Sequence, residues 1–132
     1  MSVTLHTATG DLEIALYLED AQQSDHVENF LRHCGSGNYN DNCIVRYIPD
    51  FILQCGDPTN TGRVSEPADP QNAFTGPKQG NWKPQTINIE RGTIMSINHK
   101  EHLVGSQFFI VLSDQHAAAL GDRNQYTPIG KQ

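Results

Sequence analysis

Apolar and polar residues alternate through Ser2–Thr7 (SVTLHT), and again from Asp11 to Leu18, where Leu12, Ile14, Leu16 and Leu18 fall on one side. A period of two sends successive side chains to opposite faces of a strand, so the pattern predicts an antiparallel hairpin with one buried face. The period then changes. Val27, Phe30, Leu31 and Cys34 stand at i, i+3, i+4 and i+7, with Ser24 as N-cap and Gly35 as stop, which predicts a helix over Ser24–Cys34. Ile44–Cys55 reads as two short strands bent at Pro49-Asp50, and strand patterns return in TINIERGTIMSIN (86–98), SQFFIVL (106–112) and YTPIG (126–130). Between Asp57 and Pro84 periodicity disappears and Pro, Gly, Asn and Asp dominate, the composition of loop. A loop of that length inside a compact domain is usually functional or mobile. Many strands with one clear helix predict a mainly β domain over residues 1–132, built as a closed sheet or a sandwich.

Length and charge narrow the partners. The 132 residues are enough for a real core. A net charge of −6, with nine scattered Lys and Arg, argues against direct nucleic-acid binding, which needs clustered positive charge. No apolar run approaches membrane-spanning length and the first residues lack a signal pattern, so the expected location is intracellular, nucleus or cytoplasm, without membrane attachment. Three cysteines, an odd number, suit a reducing compartment better than a disulfide framework.

Most candidate chemistry falls away. His26, His33, His99, His102 and His116 lack metal-site spacing and read as surface or core histidines; no metal and no cofactor is implied. Cys34, Cys43 and Cys55 have no activating base nearby in sequence and read as small buried hydrophobes. Ser106 lacks the Gly-x-Ser-x-Gly frame of a nucleophile elbow. What stands out is Arg46 in IVRYIPDFILQCGDP (44–58), a guanidinium in an apolar run, costly to bury unless paired. An isolated strand arginine snorkels to solvent or pairs with an acid such as Asp50 or Asp57.

The surroundings give Arg46 another reading. R-x-I-P-x-F-I-x-Q-x-G-D and V-G-S-Q-F-F-I closely resemble the two core motifs of the cyclophilins, the peptidyl-prolyl cis-trans isomerases. SVTLHTATGDLEIALY, ENFLRHC and YTPIGK match that family in order, and the opening most resembles the short nuclear cyclophilins that associate with the spliceosome. The resemblance implies a closed antiparallel β-barrel and a catalyst of Xaa-Pro bond rotation that needs neither metal nor covalent step. Carried over by position, Arg46 matches the catalytic arginine and Gln54 the glutamine that orients it. Phe51 and Phe109 match the aromatics gripping the proline ring, with Ile52 standing where methionine is usual. Asn98 matches the asparagine whose backbone holds the preceding residue, Gln107 lines the neighbouring groove, and Leu120 and Tyr126 correspond to the pocket leucine and histidine. Phe108 and Phe109, adjacent in an alternating strand, must face opposite ways.

The departures point elsewhere. Val45 replaces the family's histidine before the arginine, and Ile97 replaces the small residue before Asn98, a bulk that narrows the groove. HAAALGDRNQYTPIG carries extra residues, the glycine-rich loop and F-E-D-E segment are missing between Gly62 and Gly92, and HLVGSQFF stands for NTNGSQFF. The sequence stops at Gln132, where family members continue for a final helix and a closing strand. Two functions follow. One is an active isomerase on Xaa-Pro peptide or protein substrates, which the retained Arg46, Phe51, Gln54, Gln107 and Phe109 favour. The other is a binding or structural subunit of a larger assembly, such as a spliceosomal one, with reduced or no turnover. The first strand has no proline and no charge beyond His6, so the sequence also predicts a protein partner, another chain or a symmetry mate, against the Ser2–Thr7 edge.

Overall fold

The structure, a computed structural model, describes residues 2–17, 25–66, 68, 88–97, 105–120 and 125–132. The predicted hairpin forms: β1 (Ser2–Thr7) lies antiparallel to β2 (Gly10–Leu16), with Thr7 opposite Gly10. The helix α1 (Asp25–Ser36) follows, then β3 (Arg46–Ile48) and β4 (Ile52–Cys55), turned at Pro49-Asp50 with Asp50 at φ 59°. After the loop come β5 (Thr93–Ile97), β6 (Phe108–Val111), a short 3₁₀ segment (Asp114–Leu120) and β7 (Tyr126–Lys131). The predicted strand over 86–98 is thus shorter than its pattern, because Glu90 to Thr93 form a turn closed by Thr93 N–H to Glu90 C=O (3.0 Å). Of the predicted loop, Asp57–Glu66 and Ala68 are described; the rest, with Leu18, Ser24 and Asn98, lies outside the described residues.

The helix ends later than its sequence suggests. Gly35 is inside α1, and Gly37, at φ +80°, is the terminator. Its N–H donates to Cys34 C=O (3.4 Å) while that of Asn38 donates to His33 C=O (3.1 Å), which satisfies carbonyls the last turn would otherwise leave open. The buried stripe is also broader than the apolar one: His26, Asn29 and His33 are buried beside Val27 and Phe30, whereas Leu31 and Cys34 are half-buried.

All strands join one antiparallel sheet in the order β1-β2-β7-β5-β6-β4-β3. Alternation gives the sheet two apolar faces. Ile14, Leu16, Ile94, Phe108, Ile110 and Ile129 pack with Val27 and Phe30 of α1 on one. Ile52, Met95, Phe109, Val111 and Leu120 form a second cluster. Phe108 and Phe109 do face opposite ways. The end strands β1 and β3 do not pair with each other, so the described residues form a curled, open half-barrel where the sequence predicts a closed barrel. A cavity of about 790 Å³ opens there, lined by Val3, Leu5, Leu12, Leu53, Phe108 and Ile110 among others.

His26 sets a pH limit on this core. Its ring is fully buried, with Nδ1 3.0 Å from Ser96 Oγ, and Nε2 has no partner among the described residues. Burial pushes its pKa down from 6.5 to about 4. The unfolded chain therefore takes up a proton first as pH falls, and the stability from keeping His26 neutral is present above about pH 6.5 and lost toward pH 4. The shift corresponds to about 3 kcal/mol over that window. Denaturant melts between pH 7 and 4 should show a steeper loss for the wild type than for His26→Gln. Equal slopes would remove His26 from the acid transition.

Candidate active site

The second face carries those residues singled out from sequence that are described. Register places Arg46 opposite Gln54, Gln54 opposite Phe109, and Phe109 opposite Met95, one row across β3, β4, β6 and β5. Directly opposed residues share a face, with Cβ atoms about 4.5–5.5 Å apart. The row runs from a cation through an amide to an apolar floor. Arg46 lies on an edge strand and is exposed, which corrects the expectation of a guanidinium enclosed by apolar residues; its charge needs no buried partner there.

Around the row the other positions converge. Ile52 and Leu120 are buried with Phe109, and Phe51, Ile97 and Tyr126 pack against them half-buried. The Tyr126 ring meets Phe109 edge-on at 5.3 Å, and His116 meets Phe51 in the same way at 6.1 Å. Phe51 is placed by the tight turn: its N–H donates to Ile48 C=O (3.0 Å) and its C=O accepts from Leu112 N–H (2.9 Å). Asn98 lies outside the described residues, next to Ile97, whose N–H donates to Gln107 C=O (3.0 Å).

Gln107 is bound at both ends. Its Nε2 donates to Val64 C=O (2.8 Å) and its Oε1 accepts from Gln54 Nε2 (2.6 Å). Two residues distant in sequence thus form one amide pair beside Arg46. The pair depends on a segment that sequence reading took for loop, with Asp57 only as an acid to pair with Arg46. Gly56, at φ +101°, runs so close to β6 that a Cβ would sit 2.4 Å from Ser106 O, and Asp57 follows it, fully buried. Asp57 is not available to Arg46. Its carboxylate accepts from the N–H and hydroxyl of Thr59 and of Thr61 and from the N–H groups of Arg63 and Val64, at 2.7–3.2 Å. Burial alone would raise its pKa, but the hydrogen bonds from Thr59, Val64 and Thr61 outweigh it and hold the carboxyl well below the usual range. Asp followed by Thr at the second and fourth positions is the signal that would have found it. Met95 was missed too, although it shares the period-two face of Ile97.

The cysteines and histidines take other places. Burial pushes the Cys34 thiol up to about 11 and Cys55 to about 12, which disfavours the thiolate at both; Cys43 is exposed, not buried as its sequence reading has it. Among the described residues no three His, Cys, Asp or Glu side chains gather as metal ligands. His33 is engaged by Glu66 C=O (2.9 Å) and the Asn38 amide (3.1 Å). No helix of the described residues is long and apolar enough to cross a membrane.

The chain is similar to known proteins along nearly its whole length. Residues 2–131 match the family model "Cyclophilin type peptidyl-prolyl cis-trans isomerase/CLD". The chain is 37% identical over 131 residues to peptidyl-prolyl cis-trans isomerase 10 of Caenorhabditis elegans, covering 99% of this chain and 74% of that protein. It is 36% identical over 132 residues to human peptidyl-prolyl cis-trans isomerase-like 3, again covering 99% and 74%. The crystal structure of a Cryptosporidium parvum cyclophilin type peptidyl-prolyl cis-trans isomerase, obtained in the presence of the dipeptide Ala-Pro, superposes with a TM-score of 0.76 at 28% identity over 99% of this chain and 77% of that one. A half-barrel with an arginine, an amide and an apolar floor in one row, and relatives of the cyclophilin type along nearly its whole length, lead to one conclusion: the chain belongs to the cyclophilin-type peptidyl-prolyl cis-trans isomerases.

Proposed function

We propose that this chain is an isomerase that binds Xaa-Pro segments in the groove over Phe109 and rotates their imide bond with Arg46. The single observation that carries the reading is the row Arg46–Gln54–Phe109, which sets a permanent cation about two strand spacings, roughly 10 Å, from an apolar floor. A peptide bond resists rotation by about 18–20 kcal/mol because the nitrogen lone pair is delocalised into the carbonyl. Before proline the two isomers differ by only about 0.5–1 kcal/mol, so a catalyst has to lower a barrier and need not drive an equilibrium. The pyrrolidine ring fits among Phe51, Ile52, Phe109, Leu120 and Tyr126, with Ile97 beside the preceding residue. Arg46 then donates toward the proline nitrogen, localises its lone pair as the bond twists, and so favours the twisted state over either planar one. Gln54 holds the guanidinium in place. The Ala-Pro dipeptide used with the Cryptosporidium relative supports a ligand of this class.

A protease-coupled isomerisation assay on a Xaa-Pro peptide tests the reading. Arg46→Lys should lose turnover by about 10²-fold, because an ammonium keeps the charge but not the planar fork of donors. Unchanged kinetics in that variant would take Arg46 out of the mechanism. A wild-type chain that binds Xaa-Pro peptides without turnover would favour the binding-subunit reading.

A second observation supports a protein partner. The outer row of backbone groups on β1 is unpaired within the described sheet, and the cavity beside it is lined by Val3, Leu5, Leu12 and Leu53, all only half-buried. The occupant we infer is an extended segment of another protein, apolar at alternate positions, that pairs with Ser2–Thr7 and closes the barrel. The chain alone should then sediment as associating, poorly soluble material. A heat-stable monomer at high concentration would refute this.

A further inference from the structure

The orientation of an amide side chain is ambiguous unless one neighbour is restricted to accepting or to donating. Val64 C=O is such a neighbour. It can only accept, so the end of Gln107 that meets it must be the NH₂, at 2.8 Å. The other end, Oε1, then faces Gln54 and requires that residue's NH₂, at 2.6 Å. Gln54 is left with its carbonyl oxygen as the end that Gln107 does not use, and its cross-strand neighbour is Arg46. A guanidinium donates at every position and accepts at none, so this is the polarity of the pair that can receive one; the reverse would turn an NH₂ toward a cation.

The polarity therefore starts at Val64, and Val64 is held by Asp57. The buried carboxylate takes the Val64 N–H directly (3.2 Å) and gathers Thr59, Thr61 and Arg63 into the same turn. The turn is stitched to the start of β6, since Ser65 Oγ accepts from the N–H groups of Ser106 (2.9 Å) and Gln107 (3.3 Å), and Glu66 N–H donates to Ser106 Oγ (3.2 Å). Resting on the functional reading above, we propose that Asp57 is a positioning residue: through Val64 and Gln107 it fixes the amide of Gln54 so that its oxygen faces Arg46. Gln107 is accordingly an internal relay, with both ends of its amide used by the protein rather than by substrate.

The test is Asp57→Asn, which keeps the volume and replaces one acceptor oxygen with a donor. The first readout is independent of turnover. In the ¹⁵N spectrum of the wild type, the side-chain amides of Gln54 and Gln107 should be shifted from free glutamine and protected from exchange. In Asp57→Asn both should move toward free values. The second readout is kinetic: kcat should fall about tenfold to a hundredfold while KM stays within about twofold, since the groove itself is unchanged. Thr61→Val removes one hydroxyl donor from the cage and leaves the buried carboxylate in place; it should move the same two amide signals in the same direction by less. Amide signals that stay at their wild-type positions in both variants would overturn the proposal, as would a matching rise in KM with kcat unaltered. A wild-type chain with no isomerase activity would defeat the functional reading instead, and the amide signals would still judge the relay.

Discussion

The structure turns on the alternation of side chains along β6. Phe108 and Phe109 are chemically equal, yet a period of two sends Phe108 against Phe30 and Tyr39 under α1 and Phe109 to the face it shares with Tyr126. A slip of one residue would exchange them. The same register sets Gln54 opposite Phe109 and Arg46 opposite Gln54, so the fold's packing and its candidate chemistry are fixed by one constraint.

The two faces divide the work. The α1 face holds the large buried cluster and the buried His26, Asn29 and His33, whose polar atoms tie helix, sheet and loop together. Asn29 donates to Gly105 C=O (2.7 Å) and accepts from Ala68 N–H (2.8 Å), and His33 meets Glu66 C=O. The opposite face is apolar at its centre and polar at its β3 end. That gradient suits a substrate whose ring is greasy and whose reacting nitrogen needs a donor. The loop after β4 is rigid where it matters to this face, because Asp57 supplies the acceptors that its backbone lacks.

The sheet's openness belongs to the same account. Closing a barrel pairs every strand on both sides, and among the described residues β1 and β3 each keep one unpaired side while apolar residues between them remain half-buried. The face that bears Arg46 does not require the closure, since its strands β3, β4, β6, β5 and β7 are already paired in sequence across the sheet.

Local pattern by itself determined the strands, the hairpin and the helix, because period and turn chemistry are written over a few neighbouring residues. It placed Phe108 and Phe109 on opposite faces for the same reason, and the order of motifs was enough to indicate the family and to single out Arg46, Gln54, Phe51 and Phe109. What it did not contain was decided by contacts between distant segments. The helix's terminator moved from Gly35 to Gly37 because a left-handed residue was needed where the reach-back bonds close. Arg46 proved exposed because β3 is an edge, which depends on strand order. Asp57 read as a spare acid for Arg46, and only the folded turn shows its carboxylate filled by Thr59, Thr61, Arg63 and Val64. The polarity of the Gln54–Gln107 pair is set by a backbone carbonyl, and every residue carries one of those; which one is in reach is a property of tertiary structure alone.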